Sequence, residues 1–115
     1  MALNDFHGDT FVAFTDISGF RSLMRSRERA LTALHHFYQD GFRLLRAQYE
    51  RAVHVEGLLV SDCAVLFVPS DHADQATKLK ALLQVIEDLN RSMLHHDLML
   101  TTSIAYGLFD YTPPK

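Results

Sequence analysis

At 115 residues the chain has room for one domain with a real core and not for two. Its 48% hydrophobic and 22% charged residues exclude a disordered chain. A formal net charge of −3 argues against duplex nucleic acid as the main partner, because no basic excess neutralises phosphates; eleven Lys and Arg remain to meet a triphosphate locally.

Phe11-Val12-Ala13-Phe14 is an apolar run that predicts a buried strand. Asp16 stands at its end, Ile17 follows, and Ser18-Gly19-Phe20 turns the chain into a short helix through Met24. A carboxylate at a strand end can hold a hard cation, and the free N–H groups of a helix N-terminus can face phosphate oxygens. The same residues also fit a plain strand-to-helix turn in which Asp16 caps the helix. Arg25 to Arg29 reads as a charged break on a solvated face. From Ala30 to about Glu50, Leu31, Leu34, Tyr38, Gly41, Leu45 and Gln48 or Tyr49 recur at helical spacing. Gly41 inside that helix suggests a close contact between the helix and another backbone. His35 and His36, at adjacent helical positions, point about 100° apart and read as surface or rim residues rather than ligands.

Ala52 to Val60 reads as a second strand, Ser61-Asp62 as a turn, and Cys63 to Val68 as a third strand stopped by Pro69. So short a connection implies an antiparallel hairpin with Asp62 at its tip. A helix is expected from Asp71 or His72 to about His96. Its apolar stripe is Ala76, Leu79, Leu82, Leu83, Ile86, Leu89 and Met93, with Lys78, Lys80, Glu87 and Arg91 facing water. Leu98 to Tyr106 alternates as a fourth strand, bent by Gly107. The single cysteine, Cys63, excludes an internal disulfide and reads as a small buried hydrophobe in a reducing compartment. No apolar run approaches the ~20 residues of a membrane span and no signal peptide opens the chain, so no membrane association and a cytoplasmic location are expected.

The order β-α-β-β-α-β predicts an α+β fold: the ferredoxin-like split βαβ, one antiparallel sheet with helices packed on one face. The first strand should be central, being apolar on both faces. In that topology the end of the first strand neighbours the hairpin tip, so Asp16 and Asp62 converge. Two hard carboxylates beside a phosphate-friendly turn suit one or two Mg²⁺ or Mn²⁺ ions.

FTDISGF at Phe14–Phe20, SDCAVLFV at Ser61–Val68 and TTSIAYG at Thr101–Gly107 together resemble the class III nucleotidyl cyclase catalytic domain. That family carries F-x-D-I-x-G-F on its first strand and turn and G-D-x-hydrophobic on its hairpin; here Ser61 replaces the usual Gly. The resemblance spans about Phe11 to Gly107 and implies that residues 1–115 are a single cyclase-like domain. It further implies that Asp16 and Asp62 are the catalytic, metal-holding carboxylates, joined by the backbone of Ile17. Ser18, Gly19 and Phe20 would hold the β- and γ-phosphates of a nucleoside triphosphate, with two Mg²⁺ or Mn²⁺ per site. The implied reaction is attack of a ribose 3′-oxygen on the α-phosphorus with loss of pyrophosphate. The implied assembly is a homodimer with each site between two domains.

The resemblance departs from the family in two places. Purine cyclases carry a base-selecting Lys or Glu four residues before the second metal Asp, where this chain has Leu58. An apolar residue there cannot pair a purine edge. The compact antiphage cyclases that make cyclic pyrimidine nucleotides lack the purine pattern too, which implies UTP as the favoured substrate, with Tyr49 narrowing the base pocket beside Leu58. Tyr49 reads equally as a core aromatic at a helix end. The family also places a ribose-binding Asn and a transition-state Arg beyond the TTSIAYG strand, and this sequence ends at Lys115 without them. The expectation is therefore a domain truncated at its C-terminus and weakly active alone. A non-catalytic cyclase-like dimerisation or nucleotide-sensing module, and an intermolecular nucleotidyl transferase on the same fold, remain as alternatives.

Overall fold

The computed structural model describes residues 5–70 and 73–112. The elements run β1 (Phe6–Ile17), α1 (Phe20–Leu23), α2 (Arg27–Gln48), β2 (Glu56–Val60), β3 (Cys63–Phe67), α3 (Gln75–Leu94) and β4 (Leu100–Tyr111). The strands form one antiparallel sheet in the order β2-β3-β1-β4. Each helical crossover skips one strand, which is the expected split βαβ architecture. β1 is central, bonded to β3 through Val12–Asp16 and to β4 over its whole length.

Register separates the two faces of the sheet. Ala13 and Ile17 of β1 share a face with Ala64 and Leu66 of β3, and these meet Phe37, Leu45, Leu82, Leu89 and Met93 of the helices in one core. On the other face Val12 and Phe67 are buried, while Phe14 is 48% exposed. β1 is thus central for its pairing, not because both its faces are covered along their length. Away from Asp16, the open face is closed by its own aromatic cluster: Phe67 lies 5.6 Å from Phe6, 4.9 Å from Phe109 and 5.9 Å from Tyr111, centroid to centroid.

α2 begins earlier than its periodicity predicts. Ser26 Oγ accepts from the Arg29 amide, so Arg27–Arg29 form the first turn of the helix instead of a break. Its buried stripe is Ala30, Ala33, Phe37, Gly41, Leu45 and Gln48; Leu31 is 55% exposed and Leu34 and Tyr38 flank the core. Small residues face the sheet because they let the helix settle close to it, a requirement that outranks hydropathy. At Gly41 a Cβ would come within 2.9 Å of Leu59 Cδ2, the close approach its position suggested.

The start expected for the last helix, Asp71 or His72, lies outside the described residues. Within them α3 starts at Gln75, with Asp74 accepting from the Thr77 amide at 2.7 Å. That bond holds the Asp74 carboxyl below its ordinary value. Leu82, Ile86, Leu89 and Met93 are buried as predicted. Lys78, expected in water, is 6% exposed because it lies one turn before Leu82 on the core side; Ala76 and Leu83 face solvent. β2 begins at Glu56 rather than Ala52, since the Gln48 side chain takes the Val55 amide and holds the preceding residues in a loop. β4 does not bend at Gly107. It pairs through that residue, opposite Thr10, because β1 extends back to Phe6 and supplies the partner. No helix among the described residues is long and apolar enough to cross a membrane.

Candidate active site

Asp16 reaches the end of β1 by strand alternation, on the open face with Phe14. Its cross-strand partners are Cys63 of β3 and Thr101 of β4. Asp62 lies in the two-residue turn between β2 and β3, whose first residue, Ser61, is left-handed at φ 55°. A single backbone bond then joins the two acids' neighbourhoods: the Ile17 amide donates to the Asp62 carbonyl at 3.0 Å. Burial, then the charges of Asp16 and Asp62, push the Cys63 thiol above its ordinary value. Both carboxylates therefore bear on one point, and the thiol between them stays protonated.

The turn after β1 is held from the β4 side. The Ser18 amide donates to the Met99 carbonyl at 2.8 Å, and the Ser18 and Thr101 hydroxyls share a hydrogen bond. Gly19 takes φ 70°, a conformation that a Cβ would strain, and it rather than Asp16 is the N-cap of α1. Phe20 anchors the turn in the core. The amides of Ile17 and Ser18 are thus committed to the sheet. Among the described residues those of Gly19, Phe20 and Arg21 have no hydrogen-bond partner in the fold. Arg21 did not stand out in the sequence, nor did Thr101 as a neighbour of Asp16; only the β4 register puts it there.

Two aspartates and nearby carbonyls form a hard oxygen donor set suited to Mg²⁺ or Mn²⁺. Among the described residues no three His, Cys, Asp or Glu side chains form a closed metal cage. Such a set fits a cation that takes its remaining ligands from substrate phosphates and water.

Leu58 and Tyr49 meet elsewhere. They line one cavity of about 340 Å³ along the outer edge of β2, with Phe42, Arg46 and Glu56. Neither Asp16 nor Asp62 lines it. Glu56, unremarked in the sequence, is 5% exposed, and its Oε1 lies 3.2 Å from His54 Nε2. His54 in turn stacks on Tyr49, centroids 5.5 Å apart. A larger hollow of about 450 Å³ lies between the start of α2 and the turn after α3, lined by Glu28, Arg29, His36, His96 and Asp97. It contains none of the residues that carry the predicted chemistry; size does not mark the site here.

No protein-family model and no curated protein sequence matches the chain. Solved structures do. The chain superposes on the adenylyl cyclase CyaB from P. aeruginosa with a TM-score of 0.68 at 19% identity, covering 98% of this chain and 68% of that one. It superposes on a bacterial light-regulated adenylyl cyclase with a TM-score of 0.65 at 14% identity, covering 93% of this chain and 33% of that one. At such identities the likeness is one of fold: a four-stranded antiparallel sheet with its helices on one face.

Proposed function

We propose that the chain is a metal-dependent nucleotidyl cyclase domain that converts a pyrimidine nucleoside triphosphate, UTP foremost, to its 3′,5′-cyclic nucleotide and pyrophosphate. The observation that carries this reading is the bond from the Ile17 amide to the Asp62 carbonyl, which sets Asp16 and Asp62 side by side at one end of the sheet. The fold shared with two adenylyl cyclases supports the reaction class.

Asp16 and Asp62, with the Ile17 carbonyl, would hold the Mg²⁺ or Mn²⁺ ions. Bound there, the cations would acidify the ribose 3′-hydroxyl and neutralise charge on the triphosphate. The chain's own residues do the positioning. The left-handed Gly19 turns the amides of Gly19, Phe20 and Arg21 out of the sheet's bonding, where they can donate to phosphate oxygens. Phe20, buried, and Ser18, tied to Met99 and Thr101, fix that turn so that its donors need no reorganisation. The bond formed joins the 3′-oxygen to the α-phosphorus; the α–β bridge breaks and its electron pair leaves with pyrophosphate.

Pyrimidine preference rests on the cavity shared by Leu58 and Tyr49, which presents an apolar residue where a purine reader would need a charged one. The face carrying Asp16 also exposes Phe14 and Val60, at 48% and 58%, and a second copy of the chain is the proposed cover, giving a homodimer. A cytoplasmic antiphage role belongs to the same reading.

The test is incubation of the protein with each of the four nucleoside triphosphates and Mn²⁺, with products resolved by mass spectrometry. Cyclic UMP and pyrophosphate are expected, with loss of at least about 100-fold in Asp16→Ala and Asp62→Ala, the scale of removing a group that acts in the transition state. Failure with all four nucleotides sinks the proposal. A nucleotide-sensing module is the second reading, favoured by the commitment of both Ser18 donors within the fold. It predicts binding without turnover and tolerance of Asp62→Ala.

A further inference from the structure

The cavity beside β2 pairs an apolar, aromatic wall with one buried carboxylate. Phe42, Tyr49 and Leu58 supply the wall, Glu56 the carboxylate and Arg46 a guanidinium. A carboxylate at 5% exposure is costly unless its lone pairs are filled. An ionised carboxylate accepts about four hydrogen bonds, and His54 Nε2 fills one, at Oε1. Acceptor capacity therefore remains at the wall of a space large enough for a heterocycle. The group is also held firmly. Gln48 Oε1 takes the Val55 amide at 3.3 Å, fixing the loop that carries His54, and the His54 ring packs on Tyr49.

We propose that Glu56 is a specificity-determining residue that accepts the ring N–H of a keto pyrimidine, so that the cavity takes uracil in preference to cytosine. This rests on the nucleotidyl cyclase reading and names a residue for its base preference. Uracil presents carbonyl, N–H and carbonyl in a row along its imide edge. The cavity offers the complement: the Glu56 carboxylate as acceptor, with the Arg46 guanidinium and the Tyr49 hydroxyl as donors. Burial, then the Glu56 charge, push the Tyr49 phenol above its ordinary value, which keeps that hydroxyl a donor and places it within the field of the carboxylate. Cytosine puts an unprotonated ring nitrogen where uracil has N–H. Its lone pair would meet a carboxylate, and a site built to receive a proton donor rejects the analogue that lacks one. Tyr49 and His54 supply flat surfaces, and Leu58 leaves the purine-reading position without a polar group.

The experiment is calorimetric titration of the protein with the α,β-methylene analogues of UTP and CTP in Mg²⁺, which cannot release pyrophosphate. The uracil analogue should bind at least about tenfold more tightly. Glu56→Gln is nearly isosteric and can turn its amide N–H towards the cytosine ring nitrogen. It should bring the two analogues within about threefold of each other, mainly through a gain for cytosine. Tyr49→Phe, which keeps the ring, should weaken the uracil analogue alone. Equal affinities in the wild type, an unchanged ratio in Glu56→Gln, or no binding of either analogue overturns the proposal. If the preference is found but UTP yields no cyclic product, the cyclase reading fails and the role of Glu56 stands. If cyclic product forms from UTP and CTP alike and Glu56→Gln leaves that ratio unmoved, the role of Glu56 fails and the cyclase reading stands.

Discussion

Ser61 and His36 show how single residues set measurable properties of this domain. Ser61 sits at φ 55°, where a Cβ costs about 1–2 kcal/mol, in a turn whose family counterpart is Gly. Ser61→Gly should raise stability by up to about 1 kcal/mol, after the greater entropy of Gly in the unfolded chain, read as a higher urea midpoint with an unchanged slope. His36 stacks on His96 at 3.6 Å between centroids. Its pKa is lowered by burial first, then by His96 and His35, with Asp40 opposing. A histidine harder to protonate in the folded state than in the unfolded one leaves stability intact above the ordinary value of 6.5 and erodes it as pH falls below that. The melting temperature should drop between pH 7.5 and 5.5, and His36→Gln should flatten that slope.

Between elements, the contact of α2 with β2 depends on two glycines with different tolerances. At Gly57 a Cβ would fall 2.5 Å from Leu66 Cδ2, 3.0 Å from Leu45 Cδ1 and 3.2 Å from the Val65 carbonyl. Crowded on three sides, one of them backbone, Gly57→Ala should destabilise by roughly 1–3 kcal/mol. At Gly41 only the Leu59 side chain is close, and its end can move. The helix propensity gained there, about 1 kcal/mol, offsets that shift, so Gly41→Ala should stay within about 1 kcal/mol of the wild type. Denaturant midpoints of the pair test the order. Gly41 was legible in the sequence because a glycine inside a helical repeat asks for a reason. Gly57 was not, because a glycine in a strand looks the same whether or not a neighbour crowds it. The phase of α2 was also misread: Leu31 ranks above Ala30 in hydropathy, but proximity to the sheet favours Ala30, Ala33 and Gly41.

Across the whole molecule, the open face of the sheet divides in two. One end is closed by Phe6, Phe67, Phe109 and Tyr111; the Asp16 end leaves Phe14 and Val60 bare. If a second copy covers that end, Phe14→Glu should convert a dimer to a monomer in sedimentation velocity and abolish cyclase turnover, with the monomer still folded because Phe14 contributes little to the core. The sequence by itself determined the order of elements, the strand-turn-helix at Phe11 to Phe20 and the hairpin with Asp62 at its tip. Each depends on periodicity and turn chemistry among near neighbours in the chain. Only the tertiary structure decided that Ser18 gives its amide to Met99, that Thr101 stands beside Asp16, and that Glu56 is buried at a cavity shared with Tyr49 and Leu58. Those facts arise from register and helix placement, which bring together residues that no local pattern relates.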